Sequence, residues 1–269
     1  MPLRQESVWQ QLRPWWRPVV DFLFPPSCLI CAAPPRDDET AFCGDCMPQL
    51  ANAPGAHCTR CGAAVGPHLV TLAGCGYCHA EHFAFRRVIA LGVYDGTLQQ
   101  AIGYGQQVHG GPVMRGSTDL LIDDRVTDFL SEEIDAIVPI PQDWQRRVFG
   151  IHSAAESVAE RLSERLRRPL QTSLLRKPRP TPEQTGAPPG VRRQQQRGAF
   201  EVSAGVKLTG ARILLADDVL TTGATAEAAA RALRSAGAAD IIVAVIARGL
   251  GASSLRAARR VDASASPSP

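Results

Sequence analysis

The sequence lacks the features that would assign the protein to a membrane or to a secretory route. No apolar run in its 269 residues approaches the eighteen or so that a transmembrane helix needs. The N-terminus, M-P-L-R-Q-E-S-V-W-Q, lacks the continuous apolar segment of a signal peptide, so we expect a cytoplasmic protein. The formal net charge of +3 is too small to indicate a nucleic-acid partner.

Cysteine is absent outside one segment of the chain. The Cys total is 8, and all lie between Cys28 and Cys78 in C-x-x-C pairs, the spacing of a zinc knuckle. The pairs are Cys28/Cys31, Cys43/Cys46, Cys58/Cys61 and Cys75/Cys78. In a reducing compartment this clustering favours metal over disulfides, with redox-active dithiols as the less favoured alternative. Joining neighbouring pairs predicts two closed four-cysteine sites that hold structural zinc.

Cationic side chains are scarce in the same segment. Residues 28–80 contain only Arg36 and Arg60. Binding to nucleic acid depends on many contacts between cationic groups and phosphates. A protein-docking role therefore suits this segment better than DNA binding.

The two ends of the chain carry weaker patterns. Residues 1–24 have apolar positions at roughly helical spacing, interrupted by Pro14 and Pro18. We expect a helical segment packed on the rest of the protein, with a membrane-surface or partner-docking role as the alternative because exposed Trp suits interfaces. The Ala/Ser/Arg/Pro composition of residues 251–269 predicts a disordered tail.

Residues 85–250 alternate between apolar runs and helical patterns, which is typical of an α/β domain. The predicted strands are Val88–Tyr94, Ile134–Val138, the G-A-F-E-V stretch, the run that begins at Ile213, and Ile241–Ala247, which closes the sheet. The predicted helices are Thr97–Gln107, residues 117–134, His152–Leu166, and the segment after Thr225, which ends at the helix C-cap Gly237.

The most specific motif is R-I-L-L-A-D-D-V-L-T-T-G-A-T, Arg212–Thr225. It joins a buried strand to a helix, and such a turn offers unpaired backbone N–H groups and the positive end of the helix dipole to an anion. Gly223 allows the backbone to approach a phosphate closely. Thr221, Thr222 and Thr225 add hydroxyl donors.

Two adjacent carboxylates, Asp217 and Asp218, precede this turn. They are unsuited to binding phosphate directly, but they suit ribose hydroxyls or a Mg²⁺ ion beside the phosphate. The motif therefore predicts a ligand with a phosphate at one end and a diol with metal at the other.

Two further stretches are candidates for contacts with the ligand. The loop from Pro139 to Arg147 follows a predicted strand at its carboxyl end, where open parallel sheets bind ligands. Lys177–Gly198 is rich in Pro, Gln and Arg and has no periodicity, which is typical of a lid or a linker. Its Arg192 and Arg193 could reach a pyrophosphate; a solvated basic loop is the alternative.

The stretch L-L-A-D-D-V-L-T-T-G-A-T resembles the phosphoribosyl-pyrophosphate (PRPP) motif of type I phosphoribosyltransferases. The order of four-cysteine knuckles, a Y-D-G turn, V-P-I-P, a basic loop, R-G-A-F and the D-D turn resembles the ComF family over about residues 20–250. These are competence-related phosphoribosyltransferase-like proteins with an N-terminal double zinc ribbon. The resemblance implies a doubly wound, mostly parallel sheet of the type I phosphoribosyltransferase kind, preceded by the small double zinc ribbon at residues 25–84.

The resemblance also implies a ligand, Mg²⁺-PRPP or a related phosphoribosyl compound, and a role for each part of the site. Asp217 and Asp218 would hold the ribose hydroxyls and the hydrated metal. The 5′-phosphate would be bound by Thr221, Thr222, Gly223, Ala224 and Thr225. The pyrophosphate would face Pro139, Ile140, Arg146, Arg147, Arg192 and Arg193.

Three stretches depart from the family pattern. F-G-I-H-S stands where R-G-F-N-Q is usual, Gly103 replaces a lysine, and V-R-R-Q-Q stands where E-R-R-x-N is usual. These departures lie in the pyrophosphate and lid half of the site, so binding is the firmer expectation and transfer to an acceptor the weaker. The alternative is a non-catalytic adaptor in DNA uptake or regulation, whose zinc ribbons and basic lid contact a partner protein or single-stranded DNA.

Overall fold

The computed structural model describes residues 22–23, 25–34, 41–52, 57–65, 70–71, 74–79, 81–141, 153–178 and 198–249. The chain divides into two compact units, residues 1–47 and 48–269. The predicted tail and nearly all of the predicted N-terminal helix lie outside the described residues, so the four-part division made from the sequence stays a prediction. Among the helices of the described part, none is long and apolar enough to cross a membrane.

The elements follow the alternation predicted from the sequence. The strands are β1 (Val70–Thr71), β2 (Gly74–Cys75), β3 (Arg87–Val93), β4 (Ala136–Pro139), β5 (Leu175–Arg176), β6 (Glu201–Val202), β7 (Arg212–Leu220) and β8 (Asp240–Arg248). The helices are α1 (Met47–Leu50), α2 (Gly96–Gly105), α3 (Gly111–Asp124), α4 (Val126–Leu130), α5 (Ala154–Leu166) and α6 (Ala224–Ser235).

A four-stranded parallel sheet forms the centre of the second unit, with strand order β3-β8-β7-β4. Residues Ile241–Arg248 of β8 are all buried, as expected for a strand covered on both faces. The strand that we expected to close the sheet is therefore an interior strand, because β3 pairs with its outer edge.

Helices cover both faces of this sheet, which confirms the doubly wound class. On one face, α6 buries Ala226, Ala230 and Leu233 in a core that also contains Ile213 and Val243. The other face is covered by α3 and α5, and α5 packs on β7 and β4. Ser153 caps α5, because its hydroxyl accepts a hydrogen bond from the Glu156 N–H at 3.2 Å.

Residues 117–134 were predicted as one helix, and that prediction is wrong. The helix α3 begins earlier, at Gly111, with a proline in its first turn, where the missing N–H costs nothing. It ends at Asp124, and α4 starts after Arg125. The Arg125 side chain donates to the backbone carbonyl of Ala90 at 3.0 Å, which ties the break between the helices to β3.

Two smaller features refine the sequence predictions. The G-A-F-E-V stretch contributes β6, which pairs with β5 in an antiparallel ribbon outside the four-stranded sheet. Gly237, predicted as the C-cap of α6, has φ of 104° and follows the actual C-cap residue, Ala236, so the helix ends one residue earlier than predicted.

Candidate functional site

The eight cysteine sulfurs form the two groups predicted from the sequence. The first cluster is Cys28, Cys31, Cys43 and Cys46, and the second is Cys58, Cys61, Cys75 and Cys78. Within each cluster all ligand atoms lie within 4.8 Å of one another. The Sγ–Sγ distance is 3.6 Å for Cys31–Cys43 and 3.6 Å for Cys61–Cys75. Four sulfurs at about 2.3 Å from a tetrahedral Zn²⁺ are roughly 3.8 Å apart, so both clusters fit zinc.

All four C-x-x-C pairs are built on the same backbone turn. In each, the carbonyl of the first cysteine accepts a hydrogen bond from the N–H of the residue that follows the second cysteine. These bonds are Ala32 to Cys28 at 2.9 Å, Met47 to Cys43 at 3.1 Å, Gly62 to Cys58 at 2.7 Å and His79 to Cys75 at 2.9 Å. Such a turn brings both thiols of a pair to one side, where one ion can bind them.

The surroundings of the thiols also suit a cation. Burial opposes ionisation of Cys28, but hydrogen bonds from the backbone of Cys31, Cys43 and Ile30 outweigh it and lower the pKa of Cys28 to about 6. Burial raises the pKa of Cys61. A thiol that is buried among other thiolates ionises readily only when a metal ion balances the charge.

The two acidic residues of the D-D motif lie at the carboxyl end of β7. We placed them between strand and helix, and the structure instead keeps them within the strand, because β7 continues to pair with β8 as far as Leu220. Asp218 is buried, and one of its carboxylate oxygens accepts a hydrogen bond from the Gln106 side-chain amide at 2.7 Å. Asp217 accepts one from the backbone N–H of Asp218 at 3.0 Å.

This carboxylate pair has the character of a cation site. Burial, followed by the charge of the neighbouring Asp218, raises the pKa of Asp217 well above its ordinary value. Within the described part of the chain, no arginine or lysine forms an ion pair with either residue. Carboxylate oxygens are the protein ligands that Mg²⁺ prefers, so the donor set fits this ion.

The turn after β7 leads directly into the N-terminus of α6. Gly223 is the N-cap residue and has φ of 77°, a left-handed conformation that glycine adopts without strain. Gly223 itself has no side chain to cap the helix, and the preceding Thr222 Oγ1 accepts a hydrogen bond from the Ala224 N–H at 3.3 Å. Thr221, in the turn, is exposed, and Thr225, in the first turn of the helix, is half-buried.

The end of β4 lies beside the acidic pair. Pro139 is in register with Ala216, and the N–H of Ile140 donates to the Ala216 carbonyl at 2.8 Å. The structure thus brings together the carboxyl ends of two neighbouring parallel strands. Arg146, Arg147, Arg192 and Arg193 lie outside the described residues.

Sequence reasoning missed two residues that contact this region. Gln106 follows α2 and reaches Asp218, and nothing in its local sequence pointed to that role. Arg248 is buried at the end of β8, where it donates to the backbone carbonyls of Cys61, Leu220 and Thr221. The position of this arginine at the end of an otherwise apolar strand could have indicated its role from the sequence.

A groove of about 880 Å³ runs along the outer side of α6. It reaches Thr222 and Gly223 at one end and is lined on its far side by residues that follow β6, such as Val206, and by Val202 of β6 itself. The acidic pair is not among the residues that line it.

The chain is similar to known families over two separate stretches. Residues 122–263 match the phosphoribosyl transferase domain, and residues 19–80 match the double zinc ribbon domain. The first match covers more than half of the chain, so the protein belongs to the phosphoribosyl transferase domain family. It carries the zinc ribbons as an N-terminal module.

A relative that matches over nearly its whole length shows which kind of phosphoribosyl transferase domain protein this is. The chain is 24% identical over 229 residues to Competence protein F of Haemophilus influenzae, a match that covers 82% of this chain and 96% of that protein. The protein is therefore ComF-like, as its motifs indicated.

Two solved structures are similar over about half of the chain. Glutamine PRPP amidotransferase from B. subtilis, complexed with ADP and GMP, has 19% sequence identity, and the TM-score is 0.35. The match covers 54% of this chain, which spans only 30% of that one. The protein TT1426 from Thermus thermophilus has 18% identity and a TM-score of 0.32, with coverage of 56% of this chain and 78% of that one.

Proposed function

We propose that this ComF-like protein binds PRPP or a related phosphoribosyl compound with Mg²⁺ in the cytoplasm. The observation that carries the proposal is the arrangement at the end of β7. There, Asp217 and Asp218 lie near the end of β7, and the turn that follows leads to a helix N-terminus whose N-cap, Gly223, is in the left-handed conformation. An anion at that N-terminus would be bound by backbone N–H groups and by the positive end of the helix dipole.

Each part of the ligand has a counterpart in this arrangement. The 5′-phosphate would lie at Thr221–Thr225, where backbone N–H groups and hydroxyls are donors. Asp217 and Asp218 would accept hydrogen bonds from the ribose hydroxyls and would hold the hydrated metal. When bound, Mg²⁺ supplies positive charge that neutralises the pyrophosphate. Pro139, Ile140, Arg146 and Arg147, together with Arg192 and Arg193, would face that group.

Transfer of the phosphoribosyl group is a further step of the same proposal. A nucleophilic acceptor would form a bond to C1 of the ribose as the C1–O bond to pyrophosphate breaks. The protein would contribute chiefly by positioning the two partners and by stabilising charge on the leaving group. The acidic pair would act here by fixing the ribose ring.

The test is calorimetric titration of the zinc-loaded full chain with PRPP, with and without Mg²⁺. Wild type should bind PRPP in a Mg²⁺-dependent manner, and the double variant Asp217→Asn with Asp218→Asn should not bind it. The control is Asp123→Asn, an exposed carboxylate on α3. No heat from wild type with millimolar PRPP would refute the proposal.

The raised pKa of Asp217 adds a pH signature to this titration. Because burial and Asp218 hold a proton on Asp217 above its ordinary pKa, binding of a cation should release that proton. The affinity for Mg²⁺-PRPP should therefore fall as the pH is lowered. The measured heat should also change with the ionisation enthalpy of the buffer.

A non-catalytic adaptor role in competence is the second candidate, favoured by the similarity of nearly the whole chain to a protein named for competence. An assay for pyrophosphate release distinguishes a phosphoribosyl transferase from this adaptor. Binding of PRPP without release would favour the adaptor. A salt-sensitive shift with single-stranded DNA that is lost in Arg192→Ala with Arg193→Ala would identify DNA, rather than a protein, as its partner.

A further inference from the structure

Arg248 is a buried arginine that joins the second zinc cluster to the turn after β7. Its side chain and backbone together are 7% exposed, and it is the one arginine or lysine that is buried among the described residues. Nε donates to the Cys61 carbonyl at 2.7 Å. One terminal nitrogen donates to the Leu220 carbonyl at 2.9 Å and also to the Thr221 carbonyl. One guanidinium therefore binds a zinc-knuckle backbone, the last carbonyl of β7 and the first carbonyl of the turn.

A buried guanidinium needs negative charge nearby, because removal of a cation from water is energetically costly. The described hydrogen-bond partners of Arg248 are backbone carbonyls, which are dipoles and carry no net charge. The nearby ionic group is the second cluster, since Arg248 bonds the backbone of Cys61. A Zn²⁺ ion with four thiolates carries about two net negative charges. Zinc in this cluster therefore supplies the charge that stabilises Arg248 in its buried position.

The contacts with Leu220 and Thr221 also orient the turn. The described part of the chain has no cis peptide bond, so each peptide carbonyl points opposite to the N–H of the next residue. By binding these two carbonyls, Arg248 directs the N–H groups of Thr221 and Thr222 away from itself. Within the described residues, neither N–H has a backbone acceptor. Successive N–H groups that point to one side form a binding site for an anion.

We propose that Arg248 is a positioning residue that couples zinc binding at the second cluster to phosphate binding at the turn Thr221–Thr225. The proposal rests on the proposed function, since it assigns the phosphate of the same ligand to this turn. Coupling between two sites is reciprocal. Binding of the ligand must therefore raise the affinity of the second cluster for zinc, and loss of that zinc must lower the affinity of the turn for the ligand.

The experiment measures zinc release in a Cys31→Ser background, so that the zinc of the second cluster alone is counted. Release to a chromogenic chelator is timed with and without Mg²⁺-PRPP. We expect the ligand to slow release about tenfold, within the usual range of coupling between sites. In Arg248→Met, the ligand should leave the release rate unchanged. In Arg248→Lys, it should have an intermediate effect, because one ammonium keeps the charge but cannot span both sets of carbonyls.

Arg60→Met is the matched control. Arg60 donates to the carbonyl of another cysteine of the same cluster, Cys78, at 3.1 Å, and also to the Glu81 carbonyl. This variant should keep the effect of the ligand on zinc release. A folded Arg248→Met protein with the wild-type effect of the ligand would overturn the proposal.

A measurement without ligand separates failure of this proposal from failure of the proposed function. The Gly249 N–H bonds the Leu220 carbonyl at 2.8 Å, and the Glu227 N–H bonds the Gly223 carbonyl at 2.8 Å. Arg248→Met should speed hydrogen exchange of these two amides about tenfold and leave that of Gly237 unchanged. If PRPP does not bind while exchange speeds up, the ligand assignment fails and the positioning role stands. Unchanged exchange in a folded variant overturns the positioning role.

Discussion

The two zinc clusters share one local geometry and differ in what surrounds them. In both, the first cysteine of the first pair accepts a hydrogen bond from the residue four positions later, Ala32 or Gly62, and that residue has positive φ. In the first cluster Cys31 is exposed, whereas the cysteines of the second are all buried. The hydrogen bonds described for the first ribbon join residues within 28–47, while the second bonds the sheet through the carbonyls of Thr59 and Cys61.

The comparison shows that the second ribbon is built into the core of another domain. The second cluster forms its own apolar group with Ala63 and Val65, and Phe83 packs against both that group and the core under α6. The zinc of the second ribbon should therefore contribute to folding of the phosphoribosyl domain. That of the first should contribute to its own ribbon.

Loss of a ligand from each cluster gives the largest expected contrast. Cys61→Ser should lower the melting temperature of the phosphoribosyl domain by about 10 °C, because loss of a structural zinc removes several kcal/mol of folding free energy. Cys31→Ser should leave this transition within about 1 °C of wild type. If calorimetry shows equal shifts in melting temperature for both variants, the two zinc sites do not differ in their contribution to folding of this domain.

The next test exchanges the residues at two equivalent positions with positive φ, Gly62 in the second ribbon and Ala32 in the first. A Cβ at Gly62 would lie 2.9 Å from Val88 Cγ1, and φ there is 71°. Gly62→Ala should cost about 2 kcal/mol, the sum of left-handed strain and the overlap with β3. Chemical denaturation of the phosphoribosyl domain measures this cost.

The reciprocal variant is Ala32→Gly in the first ribbon, where φ is 59°. It relieves left-handed strain and should leave the denaturation midpoint of the phosphoribosyl domain unchanged. A loss of stability there similar to that of Gly62→Ala would mean that the first ribbon, too, supports the sheet.

The features that the sequence predicts well are local. The C-x-x-C spacing determines the zinc pairs because two thiols on one turn reach one ion, and apolar runs predict β3, β4 and β8 to within a few residues. The D-D motif is placed correctly at a strand end, because its turn residues and its strand are adjacent in the chain. We expected its two acids between strand and helix, whereas they lie within the strand, because pairing with β8 determines where β7 ends.

The features that the sequence predicts poorly depend on distant partners. Arg248 lies 187 residues from Cys61, and Gln106 lies 112 residues from Asp218. The break between α3 and α4 involves Arg125 and the Ala90 carbonyl, 35 residues apart. Propensity and periodicity describe a chain's own neighbourhood, so contacts of this kind become visible only in the folded structure.

The rates of zinc loss should distinguish the clusters in wild-type protein. Under excess chelator we expect two phases that differ by at least about tenfold, because access to buried sulfurs requires a local opening that costs about 1.4 kcal/mol more. Cys31→Ser should remove the fast phase, and total metal should fall from about two zincs to one. A single phase, or loss of the slow phase in this variant, would contradict the assignment from burial.

The smallest effect is expected where the second ribbon contacts the core through aromatic rings. Phe83 stacks on Phe85 with ring centroids 4.5 Å apart and an interplanar angle of 12°. Phe83→Leu keeps an apolar side chain and removes the stacking, so it should cost about 1 kcal/mol and lower the melting temperature of the phosphoribosyl domain by about 3 °C. Phe42→Leu, at a buried phenylalanine beside Cys43 in the first ribbon, should speed the fast zinc phase without this shift. If Phe83→Leu instead altered only zinc release, the second ribbon would not contribute to the stability of the phosphoribosyl domain. The proposal that its zinc supports folding of that domain would then be wrong.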